Sequence, residues 1–204
     1  PWLMAMAAAG ALGSAGAVEL WDTPPVFYTE ATATDPMAKL ASDLSNGARA
    51  IEGRTDLDKL RFVLNLLNVP IESQVLVFSK TSHQNSLIHP KNPRCLFYNE
   101  NAYVGYVPGG AIEIAIHDAS LGTVFYLIDL KQSDRSQVIT RNTSACLSCH
   151  ASGRTESVPG VLVRSVRADD NGHLLLHLGT DPCPLGWLLR DGSQFVAPSR
   201  QPRV

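Results

Sequence analysis

The chain has 204 residues and a formal net charge of −2; 45% of its residues are hydrophobic and 18% are charged. That is the balance of a globular protein with enough chain to bury a sizeable core. With no basic run and no interleaving of basic and aromatic residues, it carries no electrostatic signature of a nucleic-acid surface.

Trp2 to Leu12 is apolar and rich in alanine, and Gly13-Ser14-Ala15-Gly16-Ala17 follows it. Small residues ending in Ala15-x-Ala17 resemble the cleavage region of a secretory signal peptide. The rival reading is a retained membrane anchor, for which the run is short and rich in glycine. The basic leading region and the starting Met are absent, so the chain reads as a fragment or as trimmed at this end. Residues 1–17 are therefore expected to be a signal-like segment, and any membrane association would run through it uncleaved.

Asp35-Pro36 predicts a helix start, with an N-cap followed by proline at the first helical position. Met37, Leu40, Ala41 and Leu44 then recur at helical spacing. Asn46-Gly47 is a candidate interruption, and Gly53 ends the stretch. A second helix is predicted from Thr55, with Asp58 placed as in a capping box. Its apolar face is read as Leu57, Leu60, Val63, Leu64 and Leu67, and Asn68-Val69-Pro70 stops it.

After Pro70 the pattern changes to short strand-like runs at 74–78, 94–98, 102–107, 112–116 and 123–129, separated by polar and Gly-Pro turns. Residues 161–167 and 173–178 flank Asp169-Asp170-Asn171-Gly172, a hairpin signal. Glu113 and Asp118 alternate with apolar neighbours and read as a solvated strand face. The expectation is an α+β protein: two N-terminal helices, then a mainly antiparallel β-rich body. Residues 25–190 would form one domain and residues 191–204 an irregular, truncated tail.

Cys146-Leu147-Ser148-Cys149-His150 is a C-x-x-C-H pentapeptide, the attachment signature of c-type haem. Two thiols three positions apart reach the two vinyl groups of a porphyrin, and the adjacent histidine is held under the iron. Cys146 and Cys149 are thus the expected covalent anchors of one haem c, and His150 the ligand of its iron. The motif is placed on a loop between strands. Three other readings compete. A thioredoxin-like pair opens a helix after a buried strand, whereas Thr140 to Ala145 is polar. A zinc site is hard to build from adjacent Cys149 and His150 with no second ligand pair. The third is a plain disulfide. Cys95 and Cys183 are the other cysteines and are read either as a disulfide or as separate buried thiols.

Several strings occur here in order: Ser79-Lys80-Thr81-Ser82-x-Gln84, Asn92-Pro93-Arg94-x-Leu96-x-Tyr98, Val104-Gly105-Tyr106-Val107 and Gly122-x-x-Phe125-Tyr126. The haem motif and then Val158-Pro159-Gly160-x-x-x-Arg164-Ser165-Val166 follow them. From about Pro25 to about Trp187 the chain resembles a family of secreted bacterial proteins with a single cytochrome c haem motif, common in planctomycete-type genomes. The resemblance implies export, covalent haem and a redox function, without an assigned substrate or partner. Beyond Gly186-Trp187 the chain departs from that family, and its Pro- and Arg-containing tail reads as a truncation or a frame error.

The sixth iron ligand separates two functional classes. Outside the signal-like segment the methionine is Met37, read as a core residue; the histidines are His83, His89, His117, His173 and His177. His83, in a polar loop, is a candidate, and His173 and His177 would share one strand face. Arg141, Arg154 and Arg164 are candidate partners of a haem propionate. Ser79-Lys80-Thr81-Ser82 lacks the companions of a nucleophile and reads as a turn. The reading is an exported, periplasmic or secreted cytochrome that passes single electrons between redox partner proteins, rather than a catalyst. The alternative is a peroxidase-like haem enzyme or gas sensor with an open distal site.

Overall fold

The computed structural model describes residues 19–162, 166 and 168–175. The signal-like segment at 1–17, the domain end at 190 and the tail at 191–204 lie outside these residues, as do Arg164, His177, Cys183 and most of the last predicted strands.

Helix α1, Pro36–Ser45, begins where Asp35 Oδ1 accepts from the backbone N–H groups of Met37 and Ala38. Asn46 caps its end, and Gly47 at φ +78 supplies the left-handed turn that follows. Helix α2, Asp56–Leu66, opens on a reciprocal capping box: Asp58 N–H donates to Thr55 Oγ1, and Thr55 N–H donates to Asp58 Oδ2. Leu60, Val63 and Leu64 are buried, but Leu57 is 54% exposed. The sequence reading had put Leu57 on the apolar face. It sits in the first turn, three residues before Leu60, where the end of the stripe swings away from the core.

Six strands form one antiparallel sheet in chain order: β1 (Val75–Val77), β2 (Arg94–Tyr98), β3 (Ala102–Tyr106), β4 (Ile112–Asp118), β5 (Gly122–Ile128) and β6 (Ile139–Arg141). The two faces differ. Val104, Ile112, Ile114, Ile116, Val124 and Ile128 join Met37, Leu40, Leu44, Leu60, Val63 and Leu64 in one buried cluster. By the two-residue period, the intervening residues of the same strands point the other way. Cross-strand pairs carry that second face across the sheet: Leu96 with Gly105, Gly105 with Glu113, Glu113 with Leu127, and Ala115 with Phe125.

Asp118 corrects its reading as a solvated residue: it is 2% exposed. Its Oδ2 accepts from Thr34 N–H and Thr34 Oγ1, and its Oδ1 accepts from the N–H groups of Ser120 and Leu121. Burial alone would raise this carboxyl. The Thr34, Ser120 and Leu121 donors outweigh it and hold Asp118 at about 2. Asp118 thus ties the segment before α1 to the β4–β5 turn.

The expected hairpin signal at 169–172 does form a turn. Gly172 N–H donates to Asp169 O and Asp169 N–H to His173 O, with Ala168 and Leu174 bridged beyond. Gly172 lies at φ +84, and its carbonyl accepts from Lys80 N–H at 2.8 Å. A side-chain carbon there would run into the Phe78 carbonyl, so glycine lets this turn dock beside β1.

Candidate functional site

After β6 the chain turns through Asn142, whose Oδ1 accepts from the N–H groups of Ser144 and Cys146. This side-chain turn winds the next residues into a one-turn helix, α3, Leu147–His150. His150 N–H donates to Cys146 O, Ala151 N–H donates to Leu147 O, and Leu147 is buried. The sequence reading put the motif on an inter-strand loop. In the structure the motif is helical, because Asn142 starts the turn and Leu147 anchors it in the core. The helical turn also sets Cys146 and Cys149 on neighbouring positions of one face.

His150 is oriented by the segment that follows. Its Nδ1 lies 2.9 Å from Gly160 O, and Gly160 N–H returns a 2.9 Å hydrogen bond to His150 O. A carbonyl only accepts, so Nδ1 carries the proton and a neutral ring has its lone pair on Nε2. Thr155 Oγ1 also donates to His150 O, and Pro159 O accepts from Thr123 N–H at the start of β5. The His150 ring packs on Phe125 of β5 with centroids 4.8 Å apart. Val158-Pro159-Gly160 is therefore the brace that fixes the imidazole.

Cys146, Cys149 and His150 all line one cavity of about 660 Å³ on the sheet face opposite the helices. Its walls are largely apolar, with Val75, Val77, Leu96, Phe125, Leu127 and Leu162 among them. That volume and lining are those of a small-molecule or cofactor pocket.

A charged pair lies on its floor. Arg94 Nη2 of β2 is 2.8 Å from Glu113 Oε2 of β4, and Ser82 Oγ donates to Glu113 Oε1 at 2.7 Å. The two side chains are 19% and 15% exposed. This overturns the reading of Glu113 as a solvated residue. Gly105 of β3 lies between the two strands, and a Cβ on it would come within 2.6 Å of the guanidinium. Glycine there lets Arg94 lie flat across the sheet. The strings containing Arg94 and Gly105 were visible in the sequence; their pairing needed the register.

The other expected candidates separate by position. His83 lines the cavity; Met37 is fully buried on the helix side of the sheet. His89 and His117 are exposed, and His173 is exposed beside Asp169. Arg141 donates to the carbonyls of Tyr28 and Ala31 and lies over the Tyr28 ring, and it does not line the cavity. Arg154 is exposed. Ser79 is fully buried and joins Thr81 through their hydroxyls, a structural turn.

The site's chemistry fits a haem held through two thioethers and one imidazole. Both thiols and the oriented ring border one pocket with apolar walls, and Lys80 lines the same pocket as a cation for a propionate. The rival chemistries fit less well. Burial pushes the Cys146 thiol up to about 11, with the Glu113 charge adding to it, which is the reverse of an activated redox thiolate. Cys95, Cys146 and Cys149 carry free thiols. Among the described residues no group of three or more His, Cys, Asp or Glu side chains is arranged to hold a metal ion by itself, and no helix is long and apolar enough to cross a membrane. No family model, curated protein or solved structure matches the chain, so the chemistry of the site rests on its own residues.

Proposed function

We propose that this chain is an exported c-type haem protein that carries one covalent haem and transfers single electrons between redox partner proteins. The observation that carries the reading is the convergence of Cys146, Cys149 and His150 on one apolar cavity, with His150 Nδ1 committed to Gly160 O. Cys146 and Cys149 would hold the porphyrin edge, and His150 Nε2 would bind the iron. When bound, the haem supplies a one-electron iron couple whose potential depends on burial and on nearby charge. The chain excludes water with Val75, Val77, Leu96 and Phe125, keeps the His150 proton on Nδ1, and sets the Arg94–Glu113 pair in the same pocket. Export is supported by the Ala15-x-Ala17 segment and by the attachment of c-type haem outside the bacterial cytoplasm.

A second reading, a haem protein with an open distal position, is favoured by Met37. That side chain is fully buried on the far side of the sheet, while the cavity presents Arg94, Glu113 and His83. The test is expression with a cytochrome c maturation system in the periplasm, followed by the absorption spectrum of the reduced protein. Covalent haem with a spectrum indifferent to carbon monoxide supports the electron carrier. A carbon-monoxide shift supports the open site. Soluble folded protein without covalent haem would overturn both.

A further inference from the structure

Arg94 and Glu113 are an unusual floor for an apolar pocket. Burying a charge pair is costly, and such pairs add little to stability compared with apolar replacements. Yet the sheet is adapted to this one: Gly105 gives up its side chain to it, and Ser82 holds the free oxygen of Glu113. The loop that supplies Ser82 is itself clamped, since Gln84 exchanges two hydrogen bonds with the backbone of Ala111. Arg94 Nε is buried and has no hydrogen-bond partner among the described residues. Arg94 thus uses Nη2 on Glu113, and its five-donor guanidinium group lines the cavity that also holds the motif.

A carboxylate beside a guanidinium both accepts a proton and stabilises an anion. We infer that Arg94 and Glu113 serve a small protic ligand of the hydrogen cyanide, hydrogen sulfide or hydrogen peroxide class, which loses its proton as it enters the haem site. The inference rests on the second reading above, a covalent haem with an open distal position. In the step, the H–X bond breaks heterolytically. The proton passes to a Glu113 carboxylate oxygen, and X− keeps the electron pair and takes up hydrogen bonds from Arg94. Nothing is oxidised or reduced. The other titratable groups bordering the pocket are Lys80, His83, Tyr98, Tyr103, Tyr126, Cys146, Cys149 and His150.

The experiment uses the full chain with covalent haem, in the oxidised state, and follows ligand association by absorption. Cyanide is the protic probe. Azide, already an anion at neutral pH, is the control. Glu113→Gln is expected to slow cyanide by at least about tenfold and leave azide unchanged. Its cyanide rate should also climb with pH toward the ligand's own pKa, where the wild-type rate is flat. Glu113→Gln combined with Arg94→Gln removes both charges without leaving either unpaired, and should lose the same preference for cyanide. Equal slowing of both ligands, or of neither, would overturn the inference. So would the absence of any spectral change with either ligand in protein whose haem is attached. Failure to attach haem at all would sink the haem reading first, and this inference with it.

Discussion

His150 and Gly160 exchange two hydrogen bonds, Nδ1–H to carbonyl and amide N–H to carbonyl, each 2.9 Å long. Ten residues apart in sequence, they close a small loop that leaves the imidazole one orientation and one tautomer. The interaction uses only the backbone of Gly160. A Cβ there would find its nearest neighbours at 3.5 Å or more, an ordinary contact.

Gly160→Ala should therefore leave haem attachment unchanged and stability within about 0.5 kcal/mol, the usual range for a neutral site. Gly160→Pro removes the amide donor to His150 O, which keeps Thr155 Oγ1, and should reduce covalent haem content along with stability, by about 0.5–1.5 kcal/mol for one lost hydrogen bond. Haem content by absorption and urea midpoints test both. Equal behaviour of the two variants would contradict the brace.

Tyr126 reaches from β5 to the cap of α1. Its hydroxyl donates to Asp35 Oδ2 at 2.6 Å, while Asp35 Oδ1 holds the helix N-terminus. Burial pushes the Tyr126 hydroxyl far above the usual phenol range, with the hydrogen bond to Asp35 next in effect, so it is a donor at neutral pH. Tyr126→Phe leaves a nearly buried carboxylate oxygen without its partner and should cost about 1–3 kcal/mol in chemical denaturation. A change within error would mean that water replaces the bond.

Asp118 makes stability depend on acid. Its carboxyl is held at about 2 in the folded protein, below its ordinary value near 3.8. The unfolded chain therefore binds the proton first. The contribution is complete above the unfolded value and is lost as pH falls through the folded one, that is, between roughly pH 4 and pH 2. The shift corresponds to about 2 kcal/mol. Asp118→Asn should lose that much at neutral pH, and its stability should vary less than the wild type's across that window. Identical acid profiles for the two proteins would refute the assignment.

Gly105→Ala tests the cavity floor without touching a charge. The backbone of Gly105 is not left-handed, so the added carbon acts through its 2.6 Å approach to Arg94. The guanidinium must move, and the pair with Glu113 loosens. A loss of about 1–3 kcal/mol is expected from overpacking. Prior replacement of Arg94 by Ala should abolish most of it. Additive losses in that double-mutant cycle would show that the two residues do not interact.

How far the sequence could be read differs from element to element. The caps at Asp35 and Thr55 were legible because capping uses side chains within four residues of one another. The strands from β2 to β5 were legible because alternation marks a half-buried sheet. Leu57 was misread because spacing alone does not say where along a helix the core stops. Glu113 and Asp118 were misread as solvated for a related reason. Alternation identifies two faces and leaves open whether the second meets water, a cavity or a turn.

By itself the sequence determined the local chemistry: two thiols and an imidazole in a C-x-x-C-H spacing, an antiparallel alternation, and helix starts with their caps. Each is set by neighbours a few positions apart. Only the tertiary structure decided what stands around that chemistry. Register set Glu113 directly across from Gly105, with Arg94 two residues along β2 from Leu96, the other partner of Gly105, so that the Arg94 side chain reaches Glu113 over β3. Folding of the segment after α3 put Gly160 on His150. Packing of both helices on one sheet face sent Met37 into the core and left the opposite face to form the cavity. These are long-range pairings, and they depend on the closure of the whole sheet rather than on any short stretch of chain.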